Sequence, residues 1–178
     1  MSARFLNDAH RHTYKSVARM MVGLFGDNVE ASLELTELSV GLGTARADVR
    51  VMPWQDDALV IVSSTLLRQT AVDFDLMEFL LQENAAMDIG SFSLARSGDV
   101  VFRHVILGAT LNEAALKAVV WSVLRVADQY DDRIRQRWGG RRSIDTPRSV
   151  RVVRGTASAG VGDDTAQFTS ADVEGRRR

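Results

Sequence analysis

Apolar and polar residues follow two different periods along this chain, and the periods divide it into helices and strands. Tyr14, Val17, Met21 and Leu24 fall at i, i+3, i+7 and i+10, one face of a helix that ends near Gly26. The run 31–40, ASLELTELSV, places Leu33 and Leu35 in alternation and reads as one strand. The run 45–52 sets Ala47, Val49 and Val51 against Arg46, Asp48 and Arg50, a one-sided strand. ALVIVSS, 58–64, is apolar on both parities. A second helix is predicted from Asp73 to Met87, with Leu76, Met77, Leu80, Leu81 and Asn84. Next comes a hairpin with Ser97-Gly98-Asp99 at its tip, whose second arm, 100–107, is apolar on both faces apart from Arg103 and His104. The last helix is predicted to open on a capping box, Thr110 as N-cap and Glu113 three residues on. It runs through Leu116, Val119, Val120, Val123, Ala127 and Tyr130 and stops at Gly139-Gly140.

The order αβββαββα predicts an α+β domain, a five-stranded, mostly antiparallel sheet packed by the N- and C-terminal helices. The two strands that are apolar on both sides belong in its middle. The terminal helices cover one face, and the second face needs a cover of its own: the second helix, a partner subunit or a bound peptide.

Composition narrows the class. The chain has 178 residues, 46% hydrophobic and 25% charged, as expected for one packed domain, which we place at residues 1–140. A net charge of −1 gives no whole-molecule attraction to nucleic acid or anionic membrane. Cysteine is absent, so thiol nucleophiles and thiolate metal sites are excluded. The first residues lack the apolar core of a signal peptide, no run reaches the ~20 apolar residues of a membrane span, and a cytoplasmic protein is expected. Residues 141–178 carry eight arginines and five acids, +3, leaving −4 for the rest. They read as a basic, largely disordered tail, since residues 155–178 are too poor in apolar groups to offset ordering. Within it SVRVVR, 149–154, reads as a flexible arm in preference to a short edge strand.

Few residues offer chemistry. His10 and His12 are two apart on a helix and point in different directions, and no H-E-x-x-H pattern exists, so no metal site or cofactor is expected. His104 reads as a ligand, a base or a pH-sensitive peptide contact, or as a histidine satisfied within the sheet; its parity with Val100, Phe102 and Ile106 favours packing. Asp128 shares a helical face with Asp131 or Asp132, which reads as a carboxylate pair or, in preference, as a solvated face with Asp128 paired to Arg125 or Arg135. GLGT lies between strands and lacks a P-loop lysine, so it is a turn, and the serine pairs lack a nucleophile elbow. Trp54 after Pro53 is either a contact anchor or packing over a turn; Trp121 belongs to the core. RIRQRWGGRR gathers five arginines around Trp138, a set suited to phosphates or an acidic partner, although a helix C-terminus draws cations by its dipole alone.

The segment LMEFLLQENAAMDIGSFSLARSGDVVFRHVIL, followed by a helix ending ADQYDDRI, resembles the YbjN domain, grouped with the CesT-like chaperones of bacterial type III secretion. Leu80, Asn84, Gly90, Phe92, Gly98, Val101, Leu107, Asp128 and Tyr130 carry the resemblance, which covers about residues 10–138. It implies the αβββαββα fold and a non-catalytic, dimer-forming domain, chaperone-like or regulatory, that binds peptide segments of a client protein. Such chaperones tend to be acidic, and this chain is nearly neutral with a basic arm. We therefore expect no enzyme, a client peptide contacting Val49, Val51, Trp54, Phe102 and His104, and a homodimer formed through Leu76, Phe79 and Leu80. The dimer rests on the second helix carrying more apolar residues than one face can bury. The alternative is a nucleic-acid-associated regulator using Arg135, Arg137, Arg141 and Arg142.

Overall fold

A computed structural model describes residues 5–32 and 36–143, together with the backbone of residues 153–154. Helix α1, Asp8–Phe25, starts where the Asn7 side chain accepts the His10 backbone N–H at 2.7 Å and stops at Gly26, whose φ is 56°. His10 itself is buried and structural. Its Nδ1 accepts the Leu6 N–H, so Nε2 carries the proton and donates to the Val51 carbonyl at 3.0 Å.

The run read as one strand is two, β1 (Val29–Ser32) and β2 (Glu37–Leu42), paired antiparallel from Val29↔Val40 to Ser32↔Glu37. Alternation fixes which way side chains point and not where the chain reverses. Leu33 and Leu35, which suggested continuity, lie outside the described residues; Thr36, beside them, takes a positive φ of 48°. Its hydroxyl donates to the Val51 carbonyl, the group that also holds His10. Strands β3 (Ala45–Trp54) and β4 (Asp57–Arg68) follow as a long hairpin.

Asp73 caps α2 (Phe74–Ala85), accepting from the Leu76 N–H at 2.8 Å. Strands β5 (Ser91–Leu94) and β6 (Val100–Leu107) form the expected hairpin. Helix α3, Glu113–Trp138, is capped by Asn112, which accepts the Ala115 N–H at 2.9 Å. The predicted capping box is thus corrected: Thr110 ends a 3-10 turn, and its hydroxyl returns to the Leu107 carbonyl. The chain continues into β7 (Arg141–Arg142), paired with Leu67 and Arg68 of β4, and β8 (Val153–Arg154), paired with β1. Residues 141–142 therefore belong to the folded body; of the segment 149–154, residues 153–154 pair as an edge strand and 149–152 lie outside the described residues. Residues 155–178, read as disordered, lie outside the described residues.

The sheet runs β5-β6-β4-β3-β2-β1-β8, with β7 also on β4, so among the described residues it has eight strands and not five. Splitting the first run and adding the two late strands makes the difference. The two strands apolar on both sides, β4 and β6, are interior as their composition requires. Helices α1 and α3 pack on one face, over Val49, Val60, Val62, Phe102 and Ile106. Helix α2 lies beside α3, with Phe79 against Tyr130 and Trp138. No described helix crosses the other face.

The β5–β6 hairpin is held from three sides. The Asn84 side chain of α2 accepts the Phe92 N–H at 2.6 Å and donates to the Phe92 carbonyl at 3.1 Å, imitating a neighbouring strand. At the tip, Gly98 (φ 80°) accepts from the Thr70 N–H, and Asp99 accepts the Gln69 N–H at 3.1 Å. At the base, Gly90 (φ 82°) lets the Phe102 ring approach so closely that a Cβ there would lie 2.6 Å from it. Both the ring clash and the left-handed backbone oppose a side chain at Gly90. Gly90→Ala is expected to cost about 1–3 kcal/mol, the usual cost of overpacking a core. Urea unfolding measures this, and a midpoint equal to wild type would show that the Phe102 ring relaxes freely.

Candidate peptide-binding face

Strand pairing sets residues from successive strands side by side on the face the helices leave open. Leu107, Leu59 and Met52 form one row across β6, β4 and β3. Val105, Ile61, Arg50, Glu37 and Ser32 form the next, reaching β1. Arg103, Ser63, Asp48, Ser39 and Glu30 form a third. The face is thus divided. Its β3–β4–β6 corner is apolar and closed off by Trp54, with Trp54 50%, Leu107 48%, Met52 42% and Val105 37% exposed. A contiguous apolar patch of this kind on a polar-rimmed sheet marks an interaction surface.

Towards β1 the same face is a charged ladder. Glu37, buried, receives the Arg50 guanidinium through Nη2 at 2.7 Å and Nε at 3.1 Å. Arg46 binds Glu30 at 2.7 Å and Asp48 at 3.2 Å, and Asp48 also accepts the Ser39 hydroxyl at 2.6 Å. Burial would lower the Arg46 pKa, but Glu30 and Asp48 outweigh it and hold the guanidinium above its ordinary value. Paired charges of this kind give the ladder a fixed geometry, whereas the apolar corner presents adaptable side chains without polar partners.

Of the residues expected to meet a peptide, only Trp54 lies on this face. Val49, Val51 and Phe102 are buried beneath the helices, and half-buried His104 has their parity, its imidazole making no hydrogen bond among the described residues. The structure does not bring these five together. In one-sided β3, apolar alternation marks the strand's own core side, so an outward contact has the other parity. Met52, Leu59, Ile61, Val105 and Leu107 share the uncovered face, and the apolar character of β4 and β6 on both parities was the signal for them. Leu76 and Leu80 are likewise buried within the chain, and Phe79 packs on α3; α2 exposes Phe74, Met77 and Leu81 instead.

A family model described as "T3SS (YopN, CesT) and YbjN peptide-binding chaperone 1", TY-Chap1, matches residues 11–146. The chain belongs to this family. Among curated proteins none matches it. The TY-Chap1 match takes in the residues that carried the YbjN resemblance and continues through β7, so Arg141 and Arg142 are part of the family's domain as well as of the sheet.

Within this TY-Chap1 domain the acidic and basic residues at the end of α3 serve the fold. The Tyr130 hydroxyl donates to Glu83 at 2.6 Å, and Arg133 reaches the same carboxylate at 3.0 Å. Arg137 stacks over Trp138 and faces Asp75 at 3.5 Å, Arg141 bonds Gln69, and Arg142 bridges Asp131 and Asp132. Asp128 accepts from Thr44 at 3.0 Å, replacing the Arg125 or Arg135 pairing predicted for it. Arg137, Arg141 and Arg142, three of the four arginines required for nucleic-acid contact, thus have partners inside the domain. Burial raises the Asp131 carboxyl pKa, against the lowering effects of the Asp132 N–H and Arg142. A carboxyl with a raised folded-state pKa binds its proton more readily folded than unfolded, so acidification through that range favours the folded wild type. Asp131→Asn has no such proton to bind. Its urea midpoint relative to wild type is expected to fall as pH drops from neutral into the range just above the ordinary aspartate value; parallel pH profiles would exclude this assignment.

Proposed function

We propose that the chain is a non-catalytic, cytoplasmic peptide-binding chaperone that takes an extended client segment over the apolar corner of its open sheet face. The uncovered row of Leu107, Leu59 and Met52, with Ile61, Val105 and Trp54 beside it, carries the reading. Family membership supports the class of ligand, and the patch supports the place. Leu107, Met52, Trp54 and Val105 offer apolar contact without a shaped pocket, which suits recognition of varied side chains more than a single substrate. The Arg50–Glu37 pair and Arg103 at its edge give such a segment polar neighbours that favour one orientation.

The test uses a phage-displayed library of random dodecamers as probe. Met52→Asp/Leu107→Asp changes two exposed positions, so folding stability should stay within about 1 kcal/mol of wild type, twice the usual surface effect. Peptides captured by the wild type are expected to bind this variant at least tenfold more weakly. Equal capture by both proteins rejects this face as the site.

The homodimer is part of the same proposal, with its surface moved. Phe74, Met77 and Leu81 follow i, i+3, i+7 spacing on α2 and are 72%, 42% and 69% exposed. Such a stripe buries well against its own copy across a two-fold axis. Phe74→Glu/Leu81→Glu is expected to halve the mass measured by light scattering at high micromolar concentration. A wild-type protein already monomeric there rules the dimer out.

A further inference from the structure

On the open face three residues of β6 stand in line. Arg103, Val105 and Leu107 alternate with inward residues, so each lies two positions, about 6.6 Å, from the next. Beside them β4 repeats the order, with polar Ser63 followed by apolar Ile61 and Leu59. The strip formed by the two strands is therefore apolar along most of its length and polar at one end, and that end carries a cation.

This cation is uncommitted. The β3 arginines of the same face are held by carboxylates, Arg46 by Glu30 and Asp48, and Arg50 by Glu37. Arg103 is exposed and meets no carboxylate among the described residues. Directly opposite it lie Ser63 on β4 and Ser91 on β5. Both are small, so they leave the guanidinium open to approach from above, and both can donate a hydroxyl to an anion held there. A guanidinium with free N–H groups takes a carboxylate through two parallel hydrogen bonds.

We propose that client segments carry Asp or Glu two residues from the nearer of two apolar residues that are themselves two apart. The acid meets Arg103, and the apolar pair meets Val105 and Leu107. This rests on the sheet-face reading above and adds the chemistry of the partner to it. An extended segment has the same two-residue repeat as the strand beneath it, so side chains of one parity reach all three residues when it lies along β6. The apolar corner holds varied side chains, while Arg103 selects charge and sets the register. An exposed ion pair contributes little to affinity, so the signature lies in which segments are chosen.

Random dodecamers displayed on phage test this when selected on the wild type, on Arg103→Gln and on Arg103→Glu, and sequenced beside the unselected library. Wild-type captures should show Asp or Glu at this spacing about threefold or more above the unselected library, the selectivity that an exposed ion pair provides. Arg103→Gln, with an unchanged urea midpoint, should lose that enrichment, and Arg103→Glu should replace it with Lys or Arg. The same acid enrichment in either variant overturns the proposal, as does its absence from wild-type captures. Selection on Met52→Asp/Leu107→Asp separates the two readings. If capture is lost there while wild type and Arg103→Glu choose the same composition, the sheet face stands and the role of Arg103 fails. Capture that survives there rejects the sheet face itself, whatever the composition.

Discussion

The pairing of β4 with β6 is the interaction on which the rest of the structure depends. It runs from Leu59↔Leu107 to Leu67↔Val100 and joins the two strands that are apolar on both faces. In an ordinary half-buried sheet, a one-residue slip throws apolar residues into water, and that penalty fixes the register. Here the penalty is blunted, because slipping would exchange Val62 and Ile106 for Ile61 and Val105. The register must be fixed by something other than alternation. Gly90 under the Phe102 ring, the Asn84 clamp on Phe92, and the tip contacts of Gly98 and Asp99 with Thr70 and Gln69 supply it. Each holds a different point along the hairpin, so a slip would break all of them together. The irregularity between Thr65 and Leu67 then turns both Leu66 and Leu67 inward, ending the two-sided stretch.

This explains why a chain would tolerate apolar residues on an uncovered face. With the register held by glycines and side-chain clamps, the outward residues of β4 and β6 are free to be chosen for contact. The division of the open face follows the same logic. Towards β1, where the strands are short, the face is built from Arg46, Glu30, Asp48, Arg50 and Glu37, charged groups that pair with one another and leave little apolar area. Towards the β3–β4 turn the interior strands carry their apolar residues outward.

Much of this was legible in the sequence, and the failures share a physical cause. Periodicity placed all three helices, the central position of β4 and β6, and the hairpin tip at Gly98. Composition on both parities showed that a second face existed and needed a cover. Periodicity does not reveal a reversal between alternating stretches, so Ser32 and Glu37 were read as one strand. Nor does it tell Thr110 from Asn112 as a cap, because both types accept a backbone N–H and only the backbone path decides. The residues expected at the site lie apart for a subtler reason. Val49 and Val51 are the apolar half of an alternating strand, which is why they belong to the core. On α2 the excess of apolar residues is real, but Leu76 and Leu80 are its buried positions while Phe74 and Leu81 face outward. Pairings such as Arg142 with Asp131 join elements separated by a turn whose path no local pattern encodes.

The two sheet edges are closed in different ways, one by a helix side chain and one by a strand of the chain itself. Asn84 sits one turn beyond buried Leu80, on a helix packed against α3, so its amide is fixed to the core and the β5 edge is closed. At the opposite edge β8 lies on β1, with Glu30 opposite Arg154 and Ala31 opposite Val153. The row from Val105 through Ile61, Arg50 and Glu37 to Ser32 links the apolar corner to that edge across one strand register. The buried Glu37–Arg50 pair stands between them. The apolar corner and the β1 edge are thus separated on this face by a fixed ion pair, and the character of the face changes from apolar to charged across it.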